Sequence, residues 1–299
     1  MFHISKLVVV GVGLIGGSCA LALRNAGAVD RIVGVGRGRA NLDAALRRGI
    51  IDARYVLDEA WAAELATADI VLVAAPVAEY PALFAVIARA IGPQTIVTDA
   101  GSTKQDVVAA ARAAFGGALA RFVPSHPIAG SEQSGALAAD AALFVRRSVI
   151  VTPIAETAPD ALERISAFWQ TCGARVSTMS AADHDRVLAA VSHLPHLLAF
   201  VLVSELAERP DCAELFGRAG SGFRDFTRIA ASSAEMWRDI ALANRDALLT
   251  ELDRYRLALD NARQLLTAAD SVGLGDLFER AANARRELDD GHDGGGAAK

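Results

Sequence analysis

Short Val- and Ile-rich runs alternate with longer Ala- and Leu-rich stretches through the first 180 residues. The apolar runs KLVVV (6–10), RIVGV (31–35), DIVLVAA (69–75), TIVTDA (95–100), RFVPS (121–125) and SVIVTP (148–153) predict β-strands, with ARVSTM (174–179) a weaker one. Between them, residues 14–26, 41–48 and 104–115 carry Ala and Leu at helical spacing. Strands buried on both faces and joined by helical crossovers form a parallel, doubly wound α/β sheet of the Rossmann type. After about residue 180 the strand signals stop, and 181–208, 233–252 and 253–269 read as long helices. The expected organisation is an α/β domain over 1–180, an all-α domain over 181–288, and a disordered tail, rich in Gly and Asp, over 289–299.

One stretch raises the question of a membrane. Residues 187–204 carry no acidic or basic side chain and are long enough to span a bilayer. They also hold His193, Pro195 and His196 and are closely flanked by charges, so a buried core helix is expected and no membrane. Hydrophobic residues make up 53% of the chain and charged ones 22%, the composition of a globular enzyme. A net charge of −5 with no basic block argues against nucleic acid. Cys19, Cys172 and Cys212 lack C-x-x-C spacing, and KLVVVGVG follows the N-terminus without a secretion signal, so a reducing cytoplasm is expected.

The first strand runs into GVGLIGGS (11–18), which is G-x-G-x-x-G on Gly11, Gly13 and Gly16, with Leu14 and Ile15 between. After a strand and at the opening of a helix, this spacing marks a dinucleotide-phosphate loop rather than a plain glycine turn. Gly11 permits the tight turn, Gly13 lets backbone approach a pyrophosphate, and Gly16 lets helix pack close on strand. The helix N-terminus supplies free N–H groups and the positive end of a dipole.

Ligands of such sheets lie beyond the carboxyl ends of the strands, where Ala75-Pro76, DAGSTK (99–104) and SHP (125–127) fall. His126 and Ser102 are therefore expected side by side, near the nicotinamide end of the cofactor. A neutral imidazole is the usual proton acceptor at neutral pH. Ser102 then holds the second nitrogen of His126 or steers the nicotinamide amide, unless it caps the helix starting near Lys104. A loop histidine satisfied by backbone is the alternative for His126.

In SHLPH (192–196), His193 and His196 share a helix face that Pro195 kinks. They are substrate-pocket residues or hydrogen-bonded core histidines; no third ligand has metal spacing, so no metal is expected. In GSGFRDFTRIA (220–230), Arg224 and Arg228 are four apart and suit a carboxylate ligand, or else pair with Asp225 or Asp239.

Together GVGLIGGS, DAGSTK, SHPIAGSEQSG, SHLPH, GFRDFTRIA and MWRDI, in that order along nearly the whole chain, resemble the prephenate/arogenate (cyclohexadienyl) dehydrogenase family of tyrosine biosynthesis. The resemblance implies a nucleotide-binding domain, a helical domain that forms a homodimer, and oxidative decarboxylation of a cyclohexadienol carboxylate. It assigns His126 as proton acceptor, Ser102 as its orienting partner, His196 and less directly His193 to the substrate pocket, and Arg228 to the substrate carboxylate. Competing readings are a hydroxy-acid or imino-acid dehydrogenase and a non-catalytic dinucleotide sensor. The first relies on a lysine in the helical region, and none occurs between Lys104 and Lys299.

Cofactor choice rests on RIVGVGRGRA (31–40). NAD enzymes usually place an acid at the end of the second strand. Here that place is Gly36, followed by Arg37 and Arg39, with no acid until Asp43. Glycine leaves room for a 2′-phosphate and arginine pairs with it. NADP is expected to be accepted and preferred, with NAD also usable.

Overall fold

The computed structural model describes residues 2–131 and 133–293. It contains two compact units, Met1–Leu248 and Leu249–Lys299. In the first, β1 (Ile4–Val10), α1 (Leu14–Asn25), β2 (Val29–Gly36), α2 (Arg39–Arg47), β3 (Ala53–Val56), β4 (Ile70–Val73), α3 (Tyr80–Ala90), β5 (Ile96–Asp99), α4 (Gln105–Phe115) and β6 (Phe122–Val123) follow one another. The six strands form a parallel sheet in the order β3-β2-β1-β4-β5-β6. Strand order reverses between β1 and β4, which opens a crevice at their carboxyl ends.

Alternation along β1 shows why both faces are covered. Leu7 and Val9 join an apolar cluster with Leu23, Ile32, Leu42 and Trp169, while Val8 and Val10 join one with Phe84, Phe115 and Phe122. A strand apolar at consecutive positions can only be a central one. Cys19 and Cys172, remote in sequence, meet in the first cluster as free thiols 3.8 Å apart.

Two details depart from the expected strands. β3 was not anticipated: it is a short edge strand, half-buried throughout, and its Arg54 interrupts any apolar run. The run 121–125 divides at Pro124. β6 stops there, because proline has no N–H to continue the ladder, and β7 (Ser125–Pro127) starts a second sheet. That sheet, ordered β7-β8-β9, adds β8 (Ser148–Val151) and, after α5 (Pro159–Thr171), β9 (Arg175–Thr178). β7 runs antiparallel to β8, so the last strands do not extend the parallel sheet.

Every later element is helical among the described residues. α6 (Ala181–Leu188) passes through a π-helical turn, Ala189–His193, into α7 (Leu194–Ala207); α8 (Cys212–Gly217), α9 (Ser221–Thr227), a 3-10 turn at Arg228–Ala231, α10 (Ala234–Ala243), α11 (Arg245–Thr267) and α12 (Ser271–Asp293) follow. The helix expected over 233–252 breaks at buried Asn244. α12 carries helix to Asp293, into the tail expected to be disordered; 294–299 lie outside the described residues.

The apolar stretch 187–204 is a further correction. The helical run Ala181–Ala207 is long and apolar enough to cross a membrane. It is not the buried core helix expected: Val191 is 69% exposed and Val201 55%. α7 is apolar all round, and the chain covers only the side carrying Leu194 and Ala199. Such a helix is stable in water only when its other side is covered as well.

Candidate active site

The glycine loop has the geometry its spacing implies. Gly11 has φ +102°, and a Cβ there would lie 2.3 Å from the Ala74 carbonyl oxygen. A Cβ on Gly16 would lie 2.2 Å from the Gly11 carbonyl oxygen, so helix and strand touch through backbone. A Cβ on Gly13 would meet nothing within 4 Å. Gly13 is also the N-cap of α1, with no side-chain cap and no acid in the first turn. The first amides of α1, at Leu14 and Ile15, therefore make no bond to a capping side chain, and the helix dipole lies behind them. β4 stops at Val73, and Ala75-Pro76 leads into a 3-10 turn at Val77–Glu79 beside this loop.

Gly36 closes β2, and a Cβ there would meet only the Leu42 side chain, at 3.5 Å or more. Arg37 reaches Glu79 at 3.0 Å and Glu235 at 3.8 Å; Arg39 reaches Glu59 at 2.6 Å. Both arginines are more than half exposed, so these pairs are weak and exchangeable.

Asp99, at the end of β5, organises the next loop. Its carboxylate accepts the amides of Gly101 and Ser125 and pairs with the fully buried Lys104, whose Nζ also donates to the Ser125 carbonyl. The loop bearing Ser102 is thereby stapled to the residue preceding His126. Ser102 is not the helix cap: α4 begins at Gln105, and its N-terminus is capped by the Asp185 carboxylate, which accepts the amides of Lys104 and Gln105 at 2.8 Å.

His126 lies within β7 rather than beyond a strand of the main sheet. Its Nδ1 is 2.8 Å from Nε2 of His184, whose Nδ1 is 2.8 Å from Asp185 Oδ1. Ser102 was expected either to hold that nitrogen or to steer the nicotinamide amide; here His184 is the group within hydrogen-bond distance of it. No described residue hydrogen-bonds His126 Nε2. Burial pushes the His126 pKa well below the usual value, with the charges of His184, Lys104 and His193 adding to it. Burial works to raise the Asp185 carboxyl, but hydrogen bonds from His184, Gln105 and Lys104 outweigh it and hold it below the usual range.

The helical residues converge on Trp237. His196 stacks on its ring at 3.6 Å, and His193 meets it edge-on at 6.1 Å. His196 Nδ1 donates to the Ser192 carbonyl, 2.9 Å away. Asn244 Nδ2 bridges the Asp185 carbonyl and His193 Nδ1. Nε1 of Trp237 is buried without a hydrogen-bond partner, and buried Nε2 of His193 has none of good geometry, although the Ser102 backbone is close enough to His193 to work toward raising its pKa. Burial brings the His193 pKa down to about 4, against the opposing pull of Asp185. The π turn explains how Pro195 is tolerated: the wider turn precedes the proline, which sits at the start of α7.

The two arginines part company. α9 ends at Thr227, so Arg224 and Arg228 do not share one helix. Arg224 Nε donates to the Ala219 carbonyl. Arg228 stands near enough to His196 that its charge, after burial, helps lower that histidine. His184, Asp185, Lys104 and Asn244 were not anticipated as site residues. ADHDRV carries no recognised spacing, and only a histidine–aspartate pair at the start of an amphipathic helix hinted at it. Among the described residues no group of three or more His, Cys, Asp or Glu is arranged for a metal.

Residues 19–178 match the nucleotide-binding domain of prephenate dehydrogenase, and 180–280 match its dimerization domain. The chain is 36% identical over 284 residues to the prephenate dehydrogenase of Bacillus subtilis (strain 168), covering 94% of this chain and 76% of that protein. It is 36% identical over 228 residues to the cyclohexadienyl dehydrogenase of Zymomonas mobilis, covering 76% and 77%. Among solved structures, it is similar to prephenate dehydrogenase from Aquifex aeolicus in complex with hydroxyphenyl propionate and NAD+, with TM-score 0.89, 32% identity and coverage of 95% and 98%. It is also similar to Synechocystis arogenate dehydrogenase, with TM-score 0.78, 29% identity and coverage of 95% and 99%.

Proposed function

We propose, from the premise that this chain belongs to the prephenate dehydrogenase family, that His126 is the base in oxidative decarboxylation of a cyclohexadienol carboxylate with NAD(P). The activity is that of a prephenate/cyclohexadienyl dehydrogenase in tyrosine biosynthesis. The cradle fits a dinucleotide: Gly13 leaves the space a pyrophosphate needs, and the uncapped α1 terminus supplies amides and a favourable dipole. When bound, the nicotinamide supplies the hydride acceptor.

His126 takes the proton of the ring hydroxyl at Nε2 as hydride leaves the same carbon. Loss of the ring carboxylate as carbon dioxide leaves its electron pair in the ring, which becomes aromatic with a negative charge on oxygen. The imidazolium of His126 then returns the proton to that oxygen, so the cycle neither gains nor loses one. Aromatisation drives the reaction, and the protein supplies positioning and a base. Arg228, beside His196, binds a substrate carboxylate; His193 and Trp237 present buried donors to the same pocket. Ser102 serves the nicotinamide end.

The observation that carries this assignment is His126: a base held neutral by burial, with Nδ1 engaged and Nε2 unpartnered. Two further readings complete it. NADP is accepted and preferred, because Gly36 makes room for a 2′-phosphate and the exposed Arg37 and Arg39 can exchange their carboxylates for it. The chain forms a homodimer through the helical half, which covers the outward side of α7. The free thiols suit a cytoplasmic location. Absorbance at 340 nm, with prephenate and arogenate each paired with NAD and NADP, tests the function. Reduced nucleotide from at least one pair is expected, and none from any pair overturns the reading.

A further inference from the structure

The base assigned above must hold a borrowed proton while carbon dioxide leaves and then give it back. An imidazolium in a buried site is costly unless a counter-charge is close. His126 has unfavourable neighbours for that task. Positive charge on His184, on Lys104 or on His193 works against its protonation, and Asp99 is already paired with Lys104. The group that reaches His126 directly is His184, itself fully buried and bonded to the buried Asp185.

The hydrogen-bond inventory fixes the direction of this chain. Asp185 accepts two backbone amides and the imidazole of His184, and an ionised carboxylate has only acceptors to offer. Nδ1 of His184 therefore carries the proton, and in neutral His184 Nε2 is the acceptor. His126 must then donate from Nδ1, which leaves its Nε2 bare toward the substrate.

We propose that His184, backed by Asp185, is the positioning residue of this active site: it selects the His126 tautomer and shares the borrowed proton. When substrate O–H breaks, its proton goes to His126 Nε2. The proton on His126 Nδ1 shifts toward His184 Nε2, where the Asp185 charge compensates it. Both moves reverse when the product oxygen is reprotonated, and nothing is exchanged with solvent. This rests on His126 being the base.

The test is nitrogen-15 NMR of the full-length protein labelled at histidine, which distinguishes protonated from bare imidazole nitrogens, combined with steady-state kinetics. In resting wild type, His126 should be protonated at Nδ1 and bare at Nε2. His184→Leu should lose this single tautomer and lower kcat about 10²–10⁴-fold, with both KM values within about threefold. His184→Gln, whose amide oxygen accepts from Nδ1, should keep the tautomer and recover kcat to within about tenfold of wild type. A resting His126 protonated at Nε2 overturns the proposal, as does a His184→Leu enzyme with wild-type kcat. If the leucine variant does not fold, the wild-type tautomer and the glutamine variant decide. The tautomer is read without substrate, so wild type that is inactive on both substrates defeats the functional reading while the His184 assignment is still measured.

Discussion

A substrate carboxylate taken out of water needs a fixed cation, and the two candidate arginines are not equivalent. Arg228 acts on His196, which stacks on Trp237, whereas Arg224 turns back to the Ala219 carbonyl. Arg228→Ala should lower kcat/KM by roughly 2–4 kcal/mol, mainly through KM, because a buried carboxylate is left unpaired. Arg224→Ala should change it by less than threefold, roughly. Equal effects in steady-state kinetics would contradict this division. At this scale SHP (125–127) drew notice because it follows an apolar run, although the place it was given, beyond a strand of the main sheet, is not where His126 lies: it sits within β7. His184 and Asp185 were not legible, because their significance lies in a contact with a residue 58 positions away. No spacing rule records such a contact.

Among the elements, the loop after β1 allows two glycine effects to be separated. Gly13→Ala adds a methyl into open space at an ordinary φ, so thermal stability should be unchanged while the nucleotide KM rises. Gly16→Ala drives a methyl into backbone and should cost about 1–3 kcal/mol of stability. Thermal melts and cofactor titrations of the two variants check this, and a destabilised Gly13→Ala protein would contradict it. At the end of β2, Gly36→Asp meets no clash and should move preference toward NAD, while Arg37→Ala should weaken NADP selectively. Wild type that turns over NAD well and ignores NADP would show this loop was misread. The alternation in β1, β2, β4 and β5 was legible as buried parallel strands because side chains at consecutive positions go to two different cores. β3 and the β6–β7 break were not, since an edge strand needs little apolarity and one proline redirects the chain.

For the molecule as a whole, the exposed apolar positions of the helical half are the outstanding feature. Val191, Val201 and Leu242 in one unit, and Leu257, Leu266, Val272 and Phe278 in the other, are all more than half exposed. Sedimentation at micromolar concentration should give twice the chain mass; a monomer would contradict the homodimer. The buried histidines also make stability depend on pH. Imidazoles of the unfolded chain titrate near 6.5, about where an ordinary histidine does, whereas His193 is held to about 4. Between those values the unfolded chain binds protons that the folded chain excludes, so stability falls as pH drops through this window. His193 alone contributes a loss on the order of 3 kcal/mol. Melting temperatures at pH 7 and pH 5 check the sign, and a higher value at pH 5 would reverse it. The central claim is that His126 takes and returns the substrate proton, and the direct test is kcat for His126→Asn with prephenate or arogenate, followed at 340 nm. A fall of about 10²–10⁴-fold with unchanged nucleotide affinity is the predicted result. Turnover within a few-fold of wild type would contradict it.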